Sequence, residues 1–188
     1  PTTIIPLSTT LLRPLIPSDA PSLQLAADSP AIAQHMSYQF PSPYTLADAH
    51  KWIAIATALT VPGTTLRPSF GICDAATGAV LGGVGVKPRA DVEERTFEVG
   101  YWLAEGKWGQ GLMTEVLGAY VDWFFGAVPT AVRLEGVVFG GNEASGRVLE
   151  KVGFVYEGTR RKAGTKNGRV FDILVYGLLR EEWGAKKE

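Results

Sequence analysis

The sequence predicts an α+β fold in which a mixed sheet carries helices on both faces, and two observations point there. Phe70–Asp74 and residues 79–86 flank Ala75-Ala76-Thr77-Gly78, whose glycine suits a positive-φ turn position, so this stretch reads as an antiparallel hairpin. Thr96–Leu103 is a strand-like run followed by a glycine loop. After it, apolar residues fall at Leu112, Val116, Leu117, Tyr120, Val121, Phe124 and Phe125, which winds one stripe around a helix of period 3.6.

The remaining elements follow in order. Residues 9–15 read as a first strand closed by Pro14 and Pro17, after which Ser18-Asp19 caps a helix reaching about Asp28. A second helix is expected over 46–59, with Ala49, Ile53 and Ala56 on one face. The hairpin comes next, and the strand at 96–103 extends its sheet after the polar loop 89–95. Beyond the central helix, residues 132–138 supply a fifth strand and 143–152 a helix stopped by Gly153. Residues 154–159 and 171–178 are the last strands, joined by a polar turn over 160–168. No repeat or long linker divides the chain, so residues 1–188 are expected to form a single domain.

Composition narrows the function classes. Hydrophobic residues make up 46% and charged residues 20%, ordinary for a soluble globular protein. A net charge of −1 offers no basic face for counterion release, so no nucleic-acid partner is expected. No apolar stretch approaches the ~20 residues that cross a bilayer, and Pro6, Arg13 and Pro14 interrupt any signal peptide, so the expectation is a cytoplasmic chain without a membrane partner. The single cysteine, Cys73, excludes an internal disulfide and reads as a small core residue.

The loop Gly106-Lys107-Trp108-Gly109-Gln110-Gly111 matters because a helix begins after it. The first turn of a helix leaves backbone N–H groups unpartnered and carries partial positive charge. Glycines let the chain approach a phosphate closely and adopt dihedrals closed to other residues. Charge-assisted bonds of roughly 1.5–3 kcal/mol each would hold a diphosphate without a basic side chain. A nucleotide P-loop fails because no Lys-Ser or Lys-Thr follows a glycine at the required spacing. A dinucleotide fingerprint fails because Thr114 stands where a third glycine belongs.

Gly109 and Gly111 instead match the phosphate loop Gln/Arg-x-x-Gly-x-Gly/Ala, with Gly106 at the Gln/Arg position. Gly100-Tyr101-Trp102-Leu103, Thr114-Glu115, Asn142-x-x-Ser145, Val148-Leu149-Glu150-Lys151, Gly153-Phe154, Leu12-Arg13-Pro14-Leu15, and Phe40-Pro41 with Pro43-Tyr44-Thr45 accompany it in order. Together they resemble the GNAT superfamily of acetyl-CoA-dependent N-acetyltransferases, in its RimJ/RimL-like branch. The resemblance implies a GNAT-like, mostly antiparallel central sheet of six to seven strands. It also implies acetyl-CoA as co-substrate, no metal, and direct transfer to a primary amine by a monomer or homodimer.

It further implies roles for particular residues. Trp108, Gly109, Gln110, Gly111, Leu112 and Met113 would hold the cofactor's phosphates, and main-chain N–H groups near Trp102 and Leu103 would face the oxyanion. Asn142 caps its helix and, by the resemblance, contacts the pantetheine arm. Arg147 either reaches a phosphate or is a solvated helix charge. A lysine-like amine of pKa ~10.4 costs roughly 4.6 kcal/mol to deprotonate at pH 7, an α-amine near ~8 roughly 1.4 kcal/mol, so the site must accept a proton. Glu98 is the candidate base, or else a solvated strand charge. Many relatives carry an acidic tyrosine seven residues after the motif asparagine; here that position is Leu149, and Ser145 is the substitute donor to the leaving thiolate, or simply a first-turn residue. His35, Phe40 and Tyr44 are expected on the acceptor side. The Gly106 and Leu149 departures keep a second class open, a coenzyme A-binding sensor or interaction module without catalysis.

Overall fold

The computed structural model describes residues 4–185. Among them lie β1 (Ile5–Pro6), β2 (Thr10–Arg13), α1 (Ala20–Ala27), α2 (Pro30–Ala33), α3 (Leu46–Ala58), β3 (Phe70–Asp74), β4 (Val80–Pro88) and β5 (Thr96–Leu103). There follow α4 (Leu112–Ala127), β6 (Arg133–Phe139), α5 (Glu143–Val152), β7 (Val155–Lys166), β8 (Arg169–Leu179) and α6 (Arg180–Ala185). The strands are ordered β1-β2-β3-β4-β5-β6-β8-β7. Pairs β1–β2, β2–β3, β3–β4, β6–β8 and β7–β8 are antiparallel and β5–β6 is parallel. The mostly antiparallel α+β sheet is therefore as expected, with eight strands rather than six to seven. The extra strand is β1, two residues long and too short to show a period.

The described residues divide into two compact units. One takes the chain up to Gly85 together with Tyr101–Tyr120; the other takes Val86–Gly100 and the chain from Val121 onward.

In the first unit, Arg13 at the end of β2 is buried and grips Asp19 with two bonds of 2.7 and 2.8 Å, then donates to the Gly78 carbonyl at 3.1 Å. This corrects the expectation that Ser18-Asp19 caps a helix. The Asp19 carboxylate accepts from Arg13 and from the Ile16 N–H at 2.8 Å, and α1 starts without a side-chain cap. Helix α3 does have the reciprocal cap: the Thr45 hydroxyl accepts from the Asp48 N–H at 3.2 Å, and the Asp48 carboxylate accepts from the Thr45 N–H at 2.9 Å. Leu15, Leu23, Ile32, Tyr44, Ile53, Cys73 and Trp102 form the unit's core. Helix α2, four residues capped by Ser29, is too short to leave a periodic trace. At β4 a Cβ on Gly82 would land on the Trp102 carbonyl oxygen, and one on Gly83 would lie 2.9 Å from the Trp102 indole nitrogen. That close approach seats the end of β5 against β4.

In the second unit, β5 and β6 pair over four rungs, Thr96↔Arg133 to Val99↔Gly136. The Phe97 ring meets Phe124 of α4 at 5.0 Å between centroids. Helix α5 is capped by Asn142, whose side-chain oxygen accepts from the Ser145 N–H at 3.2 Å, and stops at Gly153, whose φ of 110° lets its N–H reach back to Leu149 and Glu150. The expected polar turn over 160–168 is instead strand. β7 runs on to Lys166, and only Asn167 and Gly168, at φ 50° and 76°, make the turn into β8. Asn-Gly is the two-residue hairpin signal, masked in the sequence by the cations before it. Arg133 pairs with Glu157 across β8, where Gly177 leaves room for both side chains. Arg180 sends its guanidinium onto the carbonyls of Phe125, Val128 and Ala131 at the close of α4.

Two stability outcomes follow. Asp19→Ala leaves the buried Arg13 unpaired and should lower unfolding free energy by about 3–5 kcal/mol in urea titration. Gly82→Ala forces a methyl onto the Trp102 carbonyl and should cost about 1–3 kcal/mol by the same measurement.

Candidate functional site

In the first unit the chain leaves β5 at Leu103, and the Ala104 N–H bonds the Leu81 carbonyl at 2.7 Å. A short turn over Glu105–Lys107 follows, closed by the Lys107 N–H on Ala104 and the Trp108 N–H on Glu105. The Trp108 indole N–H returns to the Leu103 carbonyl at 2.8 Å, pinning the loop to the strand end, and the Gln110 amide donates to Gly106 at 3.2 Å. Gly109 and Gly111 both stand at φ +74°, and a Cβ on either would meet nothing within 4 Å. The loop backbone at these two positions is therefore left-handed and open. Gly106 differs: it lies in the turn without a positive φ, so its backbone does not demand glycine.

The first turn of α4 begins with the Thr114 and Glu115 N–H groups on the Gly111 carbonyl, at 3.1 and 3.3 Å. Leu112 and Met113 bury their side chains, so only their main chain is available to a ligand there. Glu115 is held by the Ser8 N–H and hydroxyl at 2.9 and 2.8 Å, and Glu105 by the Ser29 hydroxyl at 2.7 Å.

Phe40, Tyr44 and Trp102 come together in this unit. The Phe40 ring lies 5.0 Å from Tyr44 and 5.6 Å edge-on from Trp102. Tyr44 is buried; desolvation, reinforced by the Asp48 charge, pushes its phenol up to about 12. Its N–H donates to Asp28 at 2.9 Å. His35 is half-buried just after α2, with its N–H on the Ile32 carbonyl at 3.0 Å. Burial raises the Cys73 thiol to about 11, so it stays protonated at neutral pH and is a core residue rather than a nucleophile. Trp102 and Leu103 are both buried, so the strict alternation expected along 96–103 ends at Gly100. The last residues of β5 enter the first unit's core instead of lining one sheet face.

In the second unit Glu98 faces Glu135 across the parallel pair, an arrangement of like charges that Arg89 resolves. Its guanidinium lies 3.0 Å from Glu98 and 2.5 Å from Glu135, and Arg133 continues the series to Glu157. The Arg89 guanidinium is held above its usual pKa by Glu135 and Glu98 against the cost of burial. Glu98 retains side-chain exposure of 31%. Nothing in the spacing of the sequence singles out Arg89, which lies in the loop after β4.

Asn142, Ser145 and Arg147 sit on the first two turns of α5, Ser145 half-buried and Arg147 exposed. A cavity of about 210 Å³ adjoins Asn142 and Arg147, lined also by Gly146, Glu150 and Tyr176 among others, and Ser145 is not part of its lining. The Tyr176 hydroxyl approaches Gly146 so closely that a Cβ there would lie 2.8 Å from it. Burial, followed by the Glu150 charge, raises the Tyr176 pKa. The sequence gives no signal for this tyrosine, 30 residues downstream on β8. Leu149, in the position where many relatives carry tyrosine, is fully buried against Gly136.

A mixed α+β sheet whose fifth strand runs through a left-handed glycine loop into a long helix defines the class of this protein. The acetyltransferase (GNAT) domain family matches residues 10–155, and the chain belongs to that family. It is similar to the uncharacterized N-acetyltransferase YoaA of Bacillus subtilis (strain 168), 35% identical over 104 residues that make up 55% of this chain and 58% of YoaA. It is also similar to the uncharacterized N-acetyltransferase p20 of Bacillus licheniformis, 28% identical over 92% of this chain and 93% of p20. The match thus spans little more than half of one relative and nearly all of the other. The structure of RimL, a ribosomal L7/L12 alpha-N-protein acetyltransferase in complex with coenzyme A, shares the fold with a TM-score of 0.77. The identity is 21%, over 95% of this chain and 98% of that one.

The Tyr44 phenol gives a pH outcome. Its folded-state value, about 12, lies above the ordinary 10.0, so its contribution to stability is whole below pH 10 and is lost as pH rises through the folded value. Tyrosinate absorbance should show Tyr44→Phe removing a late-titrating group, and urea midpoints of the wild type should fall between pH 10 and about 12 more than those of the variant.

Proposed function

We propose that the protein transfers the acetyl group of acetyl-CoA directly to a primary amine, the N-terminal amine of a polypeptide or an amine of a small molecule. One observation carries this reading. Gly109 and Gly111 hold a left-handed, open backbone immediately before the first turn of α4, which is what a diphosphate needs to be met by main-chain amides alone. The amides from Gly109 to Met113 bind the diphosphate, and Trp108 holds the loop to the strand end through its indole. Asn142 holds the pantetheine arm, Arg147 a phosphate, and main-chain N–H groups near Trp102 and Leu103 stabilise the oxyanion.

In the transfer step the amine nitrogen attacks the thioester carbon, the new C–N bond forms, and the C–S bond breaks. Ser145 donates a hydrogen bond to the departing thiolate, which with a thiol pKa near ~8.5 needs little help. Glu98, partly exposed beside Arg89, takes the amine proton through water. His35, Phe40 and Tyr44 line the acceptor side. The alpha-N-protein activity in RimL's name supports a polypeptide N-terminus as the acceptor class.

A second reading has its own observation. Leu149 is buried in the position of the expected tyrosine, which suits a module that binds coenzyme A without catalysing transfer.

Two measurements separate them. Coenzyme A titration of the Gly109→Val/Gly111→Val double variant should show affinity at least ~10-fold weaker, the loss of one or more charge-assisted bonds, with the urea midpoint recording any change in folding. Unchanged affinity would refute the loop as the binding element. Thiol release with peptide and small amines should proceed in the wild type and drop at least ~10-fold in Glu98→Gln. Binding without thiol release for any amine supports the module.

A further inference from the structure

The charge of the chain is unevenly placed. Of its 18 lysines and arginines, five fall within residues 160–169: Arg160, Arg161, Lys162, Lys166 and Arg169, with no acidic residue among them. The other thirteen stand against 19 acidic side chains. The fold gathers these five cations on the β7–β8 hairpin, and Arg160, Arg161, Lys162 and Arg169 are exposed.

Three structural features make this more than a solvated run. The register between β7 and β8 slips between Arg160 and Gly164, so residues 161–163 bulge from the ladder opposite a single residue, Asp172. Lys162 takes φ 52° at the bulge, and its N–H is satisfied by Asp172 at 2.7 Å, so the backbone there is fixed. Beneath the bulge lies an open cavity of about 480 Å³, with Lys162 and Arg169 at its walls and Val170, Phe171 and the Gly140 backbone along it. Asp172 also lines it. Finally, β7 is the last strand of the sheet order, so among the described residues one of its edges has no strand beside it.

We infer that the β7–β8 hairpin is a docking surface for an acidic, extended segment of a partner polypeptide. The free edge of β7 offers main-chain donors and acceptors at the spacing of another strand. The cations meet carboxylates along that strand, and the cavity between Lys162 and Arg169 takes one side chain. Phosphodiester backbones fit less well. They carry charge over lengths beyond one hairpin, where the rest of the chain is net acidic, and the cavity holds one aromatic ring, Phe171, which is already engaged with Phe139 at 4.9 Å. This inference does not depend on the transfer reaction.

The test is fluorescence anisotropy with a labelled 12-residue Glu/Asp-rich peptide and a labelled single-stranded RNA of equal charge, at low and at physiological salt. The acidic peptide should bind the full-length wild type, weaken with salt, and lose at least ~10-fold in affinity in the variant R160Q/R161Q/K162Q/K166Q/R169Q. A second variant exchanging arginine and lysine at the same positions should retain most of the affinity. Coenzyme A titration run in parallel should be unchanged in both. Absence of peptide binding at low salt, affinity indifferent to the five neutralisations, or tighter binding of the RNA would each overturn the inference.

Discussion

The structure around the candidate site depends on holding one short stretch of main chain in a left-handed path. Backbone amides attract an anion only when they are fixed in direction, because a flexible loop loses in ordering entropy what it gains in hydrogen bonds. Four tethers in the first unit supply that fixity. The Trp108 indole reaches the Leu103 carbonyl, the Ala104 amide reaches Leu81, Glu105 receives Ser29, and Glu115 receives Ser8.

The close seating of Trp102 has the same purpose one step upstream. Gly82 and Gly83 remove side chains from β4 so that the end of β5 approaches it, and Phe40, itself packed on Tyr44, meets the indole edge-on. The aromatic group and the loop are thus parts of one rigid corner. The carboxylate ladder in the second unit is built on another rule. Glu98 and Glu135 face each other, and Arg89 and Arg133 are interleaved so that no carboxylate in the series lacks a cation.

Much of this was legible in the sequence where a local rule governed. The 3.6-residue stripe from Leu112, the cap at Asn142, the stop at Gly153 and the hairpin at 70–86 depend on neighbours within a few positions, and spacing reveals such dependence. The family resemblance likewise came from short ordered motifs. What escaped depended on distant partners. Asp19 reads as a cap until Arg13 is seen to claim it, and Arg89 reads as a loop charge until Glu98 and Glu135 meet beside it. The cations at 160–162 read as a turn, although strand geometry continues through them as a bulge. Leu103, buried next to Trp102, shows a strand leaving one environment for another, which a period of two cannot express.

The pairing of Arg133 with Glu157 over Gly177 bears on how this sheet tolerates change. Strand preference alone would welcome valine or isoleucine in the middle of β8, since glycine there forfeits side-chain contacts and adds disorder to the unfolded chain. The vacancy, however, is a passage through which two non-adjacent strands communicate. A branched residue placed in it would push aside the ends of both side chains, so a substitution that strand propensity favours would cost the sheet this cross-strand ion pair while the main-chain ladder of β7 and β8 stayed in place.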